Sequence, residues 1–169
     1  RFSYNLQEER NGRGELRVQF EKKGLPSPGV YKKEELDLWK LLPSMQDMFS
    51  DGGSGAVVSF LGIVKSIGNN DKRVEYLEIE AYDRHANPVI QAICEETKEK
   101  FNLEFVGIWH LKGSFKVGEP LVLVVIAGKS REEVFPALEE AVRRYKTEPA
   151  LFKKEVYEDG TYAWLSAKH

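Results

Sequence analysis

Two lysines near the end of the chain, Lys146 and Lys153, have the residue type and the spacing that could perform chemistry. Pro149 lies between them, and we expect a bend there because proline disfavours the α conformation at the preceding residue and lacks a backbone donor. A bend lets the two lysines converge on one pocket. A lysine held beside another cation and partly removed from water has a lowered pKa, so its amine can act as a nucleophile or general base near neutral pH.

The simpler interpretation is that both lysines are solvated charges near a helix C-terminus, where cations complement the helix dipole. The apolar pair Leu151 and Phe152 argues against it. We expect both side chains to be buried and to anchor this segment, which would hold Lys153 against the body of the protein.

Two further residues have reactive side chains, His110 and Cys94. His110 could be a general base, although a histidine between a strand and a turn is more often structural. Cys94 lies on the apolar side of a predicted helix without a neighbour that would lower its pKa, so we interpret it as a core residue. Metal-ligand spacing, a glycine-rich phosphate loop and a serine nucleophile motif are all missing. We therefore predict neither a metal site nor a bound cofactor.

A helix from Ser130 to Lys146 must position the first lysine. Its acidic residues come early and its basic residues late, which complements the helix dipole, and Ser130 is a suitable N-cap. The apolar residues recur with the spacing of one helix face: Val134, Phe135, Leu138, Ala141, Val142 and Tyr145.

The other predicted elements follow an irregular order of strands and helices. Patterns of alternating or continuous apolar residues predict strands at 15–20, 55–65, 74–82, 106–110, 121–127, 154–157 and 161–165. Helices are predicted from Lys32 to about Phe49 and from Pro88 to Phe101, a loop at 24–29 and a turn at 113–118. This order predicts an α+β fold with a mixed, largely antiparallel sheet and packed helices.

Length and composition are those of an ordinary globular domain of 169 residues, with 41% hydrophobic and 31% charged residues and a formal net charge of −2. We predict a main domain at 31–169 and an N-terminal extension of uncertain role at 1–30. The charge balance gives no case for a nucleic-acid or membrane partner. A single cysteine and the lack of a long apolar run favour the cytoplasm.

Four blocks of this sequence together resemble the large, catalytic subunit of molybdopterin synthase, the MoaE family. They are 55–65 (GAVVSFLGIVK), 110–119 (HLKGSFKVGE), Arg131 followed by Phe135, and the lysine segment 146–155. The blocks occur in the family's order and at compatible spacings from about Tyr31 to the C-terminus, whereas residues 1–30 are not covered.

The resemblance implies an α/β-hammerhead type of fold and a sulfurtransferase. Such an enzyme places two sulfurs on cyclic pyranopterin monophosphate to form the molybdopterin dithiolene in molybdenum cofactor biosynthesis. The sulfur arrives as a C-terminal thiocarboxylate on a small ubiquitin-like subunit, and the family forms a homodimer within a heterotetramer. Lys146 and Lys153 match the family's catalytic pair.

The resemblance also assigns substrate-binding positions to Lys65, Ser130 and Arg131. The family has an arginine where this chain has Lys65, which keeps the charge but loses the bidentate fork. A His-Arg pair of the family corresponds to Ser130 and Arg131, and a serine cannot replace histidine in proton transfer. Any role of that histidine is then dispensable here or is filled by a neighbour such as Lys129.

The predicted helix separates two of these positions. Arg131 and Lys146 are 15 residues apart, which is about 22 Å along a helix. Two such side chains cannot grip one small pterin from the same chain. If both serve one site, Arg131 comes from a second subunit, which predicts a homodimer with shared sites.

Two alternatives of other classes remain open. The protein could be a docking module that binds a ubiquitin-like tail without performing chemistry. It could also present an RNA or nucleotide surface formed by the basic loop 65–73 and the lysines at 146–154, although the net acidity disfavours this.

Overall fold

A mixed seven-stranded sheet with three helices forms the body of the protein in the computed structural model, which describes residues 7–10, 16–19 and 24–165. The helices are α1 (Leu38–Ser44), α2 (Asp83–Lys100) and α3 (Arg131–Thr147), and a short 3-10 turn follows α1 at Gln46–Phe49. The strands are β1 (Gln7–Arg10), β2 (Leu16–Gln19), β3 (Gly29–Lys32), β4 (Ala56–Ile63), β5 (Val74–Ala81), β6 (Phe105–Lys116), β7 (Pro120–Gly128), β8 (Leu151–Tyr157) and β9 (Tyr162–Leu165). The predicted α+β class is confirmed.

The strand order in the large sheet is β4-β7-β6-β5-β8-β9, and β3 pairs with β6 in parallel while the other pairs are antiparallel. β1 and β2 form a separate antiparallel pair, so the predicted strand at 15–20 is confirmed for the residues that are described. β3 runs across residue 30, where we divided the chain into an extension and a main domain, and that division stays a prediction.

Strand β6 connects the two halves of the sheet. Its first part, 105–110, pairs with β7, and its last part, 113–116, pairs with β5. We predicted a turn at 113–118, which is wrong up to Lys116. Gly113 has a φ of +130°, a conformation that L side chains rarely adopt, so this glycine lets the strand change partners without ending.

Both faces of the central strands are covered. His110 of β6 contacts Tyr145 of α3, whereas the next side chain back, Trp109, points to the opposite face and donates a hydrogen bond to the carbonyl of Pro26 at 2.9 Å. β7 is buried from Leu121 to Gly128, as its continuous apolar sequence predicts. α3 packs on β4 and β7, and α2 packs on β6 and β3.

Two predicted helix starts are wrong. The helix predicted from Lys32 begins at Leu38, where the side chain of Asp37 caps it by accepting from the Trp39 amide at 3.0 Å. Residues 29–32, predicted as the junction of a loop and this helix, instead form β3. α2 begins at Asp83, five residues before Pro88, and thus contains this proline although proline removes one helical hydrogen bond and its ring crowds the carbonyl four residues earlier.

No helix in the described part of the chain combines the length and the apolar character needed to cross a membrane. Cys94 is buried in the core, as predicted, and burial raises the pKa of its thiol to about 12.

Candidate active site

The bend between the two candidate lysines is held by the start of α2. The peptide of Ala150, directly after Pro149, accepts a hydrogen bond from the Tyr82 amide at 3.1 Å, and its amide donates to Nδ1 of His85 at 3.2 Å. The last turn of α3 is fixed as well, because Arg144 binds Glu96 of α2 at 2.6 Å. The end of α3 and the start of β8 are therefore both anchored to α2.

Strand β8 then points alternate side chains to opposite faces. Lys153, Glu155 and Tyr157 face the interior, and Glu155 and Tyr157 are almost fully buried. Lys154 faces the other side, where it pairs with Glu78 and lies over the rings of Tyr162 and Trp164. Of the two adjacent lysines, only Lys153 is directed inward.

Phe152 does not anchor the segment. It is 52% exposed on the same side of β8 as Lys154, and Leu151 is only partly buried, so the prediction that both are buried is wrong for Phe152. The strand alternation is the reason, because adjacent residues of one strand cannot both face the interior. Lys153 is held by its own inward position in β8 instead.

Burial and a neighbouring charge both act on Lys153. Burial lowers the pKa of its amine, the positive charge of Lys146 lowers it further, and the resulting pKa is about 8. The ammonium of Lys146 lies 5.9 Å from the centre of the Phe60 ring of β4, a cation–π contact at the exposed end of α3. Among the described residues, neither lysine forms a salt bridge with a carboxylate. The structure thus brings together the two lysines that the sequence singled out.

His110 lies in the interior beside this pair. Its ring meets the ring of Tyr145 edge-on at 5.8 Å, and its pKa is lowered to about 3, first by burial and then by the charge of Lys153. A histidine with this pKa is neutral at physiological pH. The sequence favours a structural role for this histidine, and its position in an apolar strand carries no signal of its nearness to Lys153.

Lys65 lies on the loop after β4, where it is exposed and donates a hydrogen bond to the side chain of Asn69 at 2.9 Å. The buried carboxylate of Glu155 binds this loop to β8, because it accepts hydrogen bonds from the Asn69 amide at 3.3 Å and from the Tyr157 hydroxyl at 2.8 Å. The loop approaches so closely at Gly68 that a Cβ there would lie 2.4 Å from Oε2 of Glu155. The strand that carries Lys153 therefore also positions the loop that carries Lys65.

Ser130 and Arg131 lie at the opposite end of α3 from Lys146. Ser130 occupies the N-cap position, as predicted, but its side chain makes no capping hydrogen bond. The Arg131 side chain is 79% exposed, and its ion pair within the described part of the chain is with the neighbouring Glu132, at 3.0 Å. The helix separates Arg131 from Lys146 by about 22 Å, so one chain does not bring these predicted substrate-binding residues to the lysine pair.

Sequence reasoning missed three contributors to this site: Phe60, Tyr145 and Glu155. The sequence patterns mark Phe60 and Tyr145 only as apolar residues of a strand and a helix, and Glu155 only as part of a hairpin. No group of three or more His, Cys, Asp or Glu side chains suited to a metal ion occurs in the described part of the chain.

Comparison with known proteins identifies relatives over most of the chain. A family model described as "MoaE protein" matches residues 32–148. A molybdopterin synthase catalytic subunit of Pyrococcus abyssi is 35% identical over 118 residues, which are 70% of this chain and 78% of that one. The Bacillus subtilis protein of the same name is 34% identical over 107 residues, covering 63% of this chain and 68% of its own.

Solved structures agree with the sequence comparison. A molybdopterin synthase structure from Staphylococcus aureus superimposes with a TM-score of 0.72 and 25% identity, covering 85% of this chain and 99% of that one. A MoaE protein from Burkholderia ambifaria has a TM-score of 0.66 at 22% identity, which supports the fold alone.

Proposed function

This chain belongs to the MoaE family, and on that premise we propose that it is the catalytic subunit of a molybdopterin synthase. Its reaction is the transfer of sulfur from the C-terminal thiocarboxylate of a small ubiquitin-like subunit to cyclic pyranopterin monophosphate. The observation that carries the catalytic assignment is the inward-facing Lys153, whose pKa is lowered to about 8 by burial and by Lys146.

Lys153 is suited to move protons. With a pKa of about 8 its amine exists in both protonation states near neutral pH, which is the condition for efficient general acid–base catalysis. When the thiocarboxylate sulfur bonds to a substrate carbon, the carbon–oxygen bond that it displaces leaves its electron pair on the oxygen, and this oxygen takes up a proton. When water then cleaves the bond between this sulfur and the partner's carbonyl carbon, the partner leaves as a carboxylate and a proton is released. Lys153 can donate in the first step and accept in the second.

Lys146 has a different role. It is exposed at the end of α3 and its charge is not neutralised by a carboxylate of the described residues. A cation so placed can stabilise the negative charge that develops on the acyl oxygen during attack. The Phe60 ring beneath its ammonium limits the directions in which this charge can point.

The substrate phosphate needs further cations. Lys65 supplies one from the loop that Glu155 holds against β8. Arg131 supplies another only if it comes from a second copy of the chain, since it lies at the far end of α3 from Lys146. We therefore propose a homodimer with composite sites, joined by two small subunits into a heterotetramer. We place it in the cytoplasm, where the lone thiol Cys94 would stay reduced.

A single-turnover assay tests the proposed function. Purified protein, a thiocarboxylated ubiquitin-like carrier and cyclic pyranopterin monophosphate are mixed, and dithiolene formation is followed over time. We expect Lys153→Ala to slow the reaction by about 100-fold or more, the usual contribution of a general acid–base, and Lys146→Ala to slow it strongly as well. Carrier binding, measured separately by calorimetry, should persist in both variants.

The matched control is Lys154→Ala, which removes the neighbouring lysine on the opposite face of β8. We expect it to retain most of the turnover. Equal losses in Lys153→Ala and Lys154→Ala would contradict the assignment. If the unaltered protein binds the carrier tightly but forms no product, the result would favour the docking module instead. This alternative stays open because the chain has Lys65 and Ser130 where the family has an arginine and a histidine.

A further inference from the structure

The protonation of His110 follows from its contacts. Nδ1 of the ring lies 2.9 Å from the carbonyl oxygen of Leu111. A carbonyl oxygen can only accept, so Nδ1 must carry the hydrogen and donate it. Because burial also keeps the ring neutral, Nε2 holds no proton and is a hydrogen-bond acceptor.

This acceptor has no partner among the described residues, although the side chain is fully buried. A buried polar atom without a hydrogen bond is costly, and such atoms in proteins usually serve a purpose. The ring sits at the point where β6 leaves β7 and turns toward β5, and it is close enough to Lys153 for the charge of that lysine to act on it.

Among the charged groups of the described residues, Lys153 is the one whose charge is shown to act on His110. α3 brings Tyr145, whose ring edge meets His110, and the exposed Lys146. α2 brings Cys94, whose thiol is engaged by the backbone of Ile108. β8 contributes Lys153 and Glu155, and Glu155 is an acceptor that already binds the loop after β4 through the Asn69 amide. The residues that pair with Lys153 on β5 and β9 are the apolar Ile79 and Leu165. The charge of Lys153 acts on His110.

We propose that His110 is a positioning residue whose unprotonated Nε2 accepts a hydrogen bond from the Lys153 amine, directly or through one bridging water. The four-carbon stem of lysine is flexible, and a fixed acceptor behind it restricts where the nitrogen lies. In the neutral amine one N–H then points inward to His110, so the lone pair is kept away from the ring and is available on the side of the substrate. The catalytic use of this contact rests on the proposed function, whereas the contact itself exists without substrate.

The contact is tested by the pKa of Lys153, measured by NMR titration of protein with 13C-labelled lysine and assigned by comparison with Lys153→Met. A lone pair facing the amine favours its charged form, so loss of the acceptor lowers this pKa. His110→Asn keeps a donor for Leu111 but places no acceptor at the Nε2 position, and we expect the pKa to fall by about one unit. His110→Gln can place its amide oxygen at that position and should restore a value near that of the unaltered protein.

An unchanged pKa in His110→Asn, or equal shifts in the Asn and Gln variants, would overturn the proposal, because a purely structural histidine gives no such difference. If His110→Asn does not fold, His110→Phe also lacks the acceptor while retaining a ring, and the same shift is expected. Single-turnover rates separate the two proposals. Normal turnover without the pKa pattern refutes the contact alone, and the pKa pattern without any turnover in the unaltered protein refutes the proposed function alone.

Discussion

Replacing Lys153 by methionine should stabilise the protein at neutral pH while it abolishes sulfur transfer. The physical reason is that the folded state holds a charged amine in a buried position beside a second cation. Methionine has a similar length and no charge, so the variant keeps the packing of the stem and removes the electrostatic penalty.

The magnitude follows from the pKa of Lys153, which is lowered from 10.5 to about 8. At about 1.4 kcal/mol for each pKa unit, the difference between 10.5 and about 8 corresponds to an upper limit of about 3.5 kcal/mol. Below pH 8 the lysine is charged in both the folded and the unfolded state, so the full penalty is present. Between pH 8 and 10.5 only the unfolded state holds the proton, so the penalty disappears and the contribution of Lys153 to stability rises with pH.

Urea unfolding at pH 7, 9 and 10.5 measures this contribution as the difference between the variant and the unaltered protein. The difference is needed because two other groups change the stability of both proteins in the alkaline range. Burial raises the pKa of Cys94 and of Tyr145, so both lose their protons first in the unfolded state, and the free energy of unfolding falls as the pH rises. We expect Lys153→Met to be more stable by about 1 to 3 kcal/mol at pH 7, and the gain to vanish by pH 10.5.

The control is Lys154→Met on the opposite face of β8. The hydrogen bond to Glu78 raises the pKa of Lys154, so this lysine carries no such penalty and its removal should not stabilise the protein. A Lys153→Met protein that is no more stable than the unaltered one at pH 7, or whose gain is independent of pH, would refute the reasoning.

Three further predictions concern the same site. Lys146→Met removes the like charge, so the pKa of Lys153 should rise from about 8 part of the way toward 10.5; an unchanged value in the NMR titration would mean that burial alone lowers it. Gly68→Ala puts a Cβ 2.4 Å from the Glu155 carboxylate, so the loop must shift, and we expect urea unfolding to show a loss of about 1 to 3 kcal/mol together with slower turnover. Lys65→Arg restores a bidentate fork for phosphate and should lower KM several-fold with little change in kcat; a changed kcat with constant KM would assign Lys65 to the chemical step instead.

Local patterns determined much of this structure. The strand at 121–127 and the helix at 130–146 were predicted within a few residues, because a continuous apolar run and a one-face helical spacing each require burial of a particular surface. The buried Cys94 was predicted for the same reason. Lys146 and Lys153 were chosen from a helix end, a proline and a short spacing, all of which are local features.

Contacts between distant segments could not be predicted in this way. β6 continues through Gly113 because β5, more than thirty residues earlier in the chain, is there to pair with it. Phe152 is exposed because the register of β8 against β5 turns Lys153 inward, and the sequence alone does not set this register.

The sequence by itself thus determined which residue types are available for chemistry and which elements carry them, since periodicity and turn residues act over a few positions. Only the tertiary structure decided that Lys153 faces inward, that Lys146 and His110 lie beside it, and that Glu155 holds the loop of Lys65. The lowered pKa of Lys153 is a product of that assembly, because desolvation and charge repulsion depend on which surfaces meet in space rather than on neighbours along the chain.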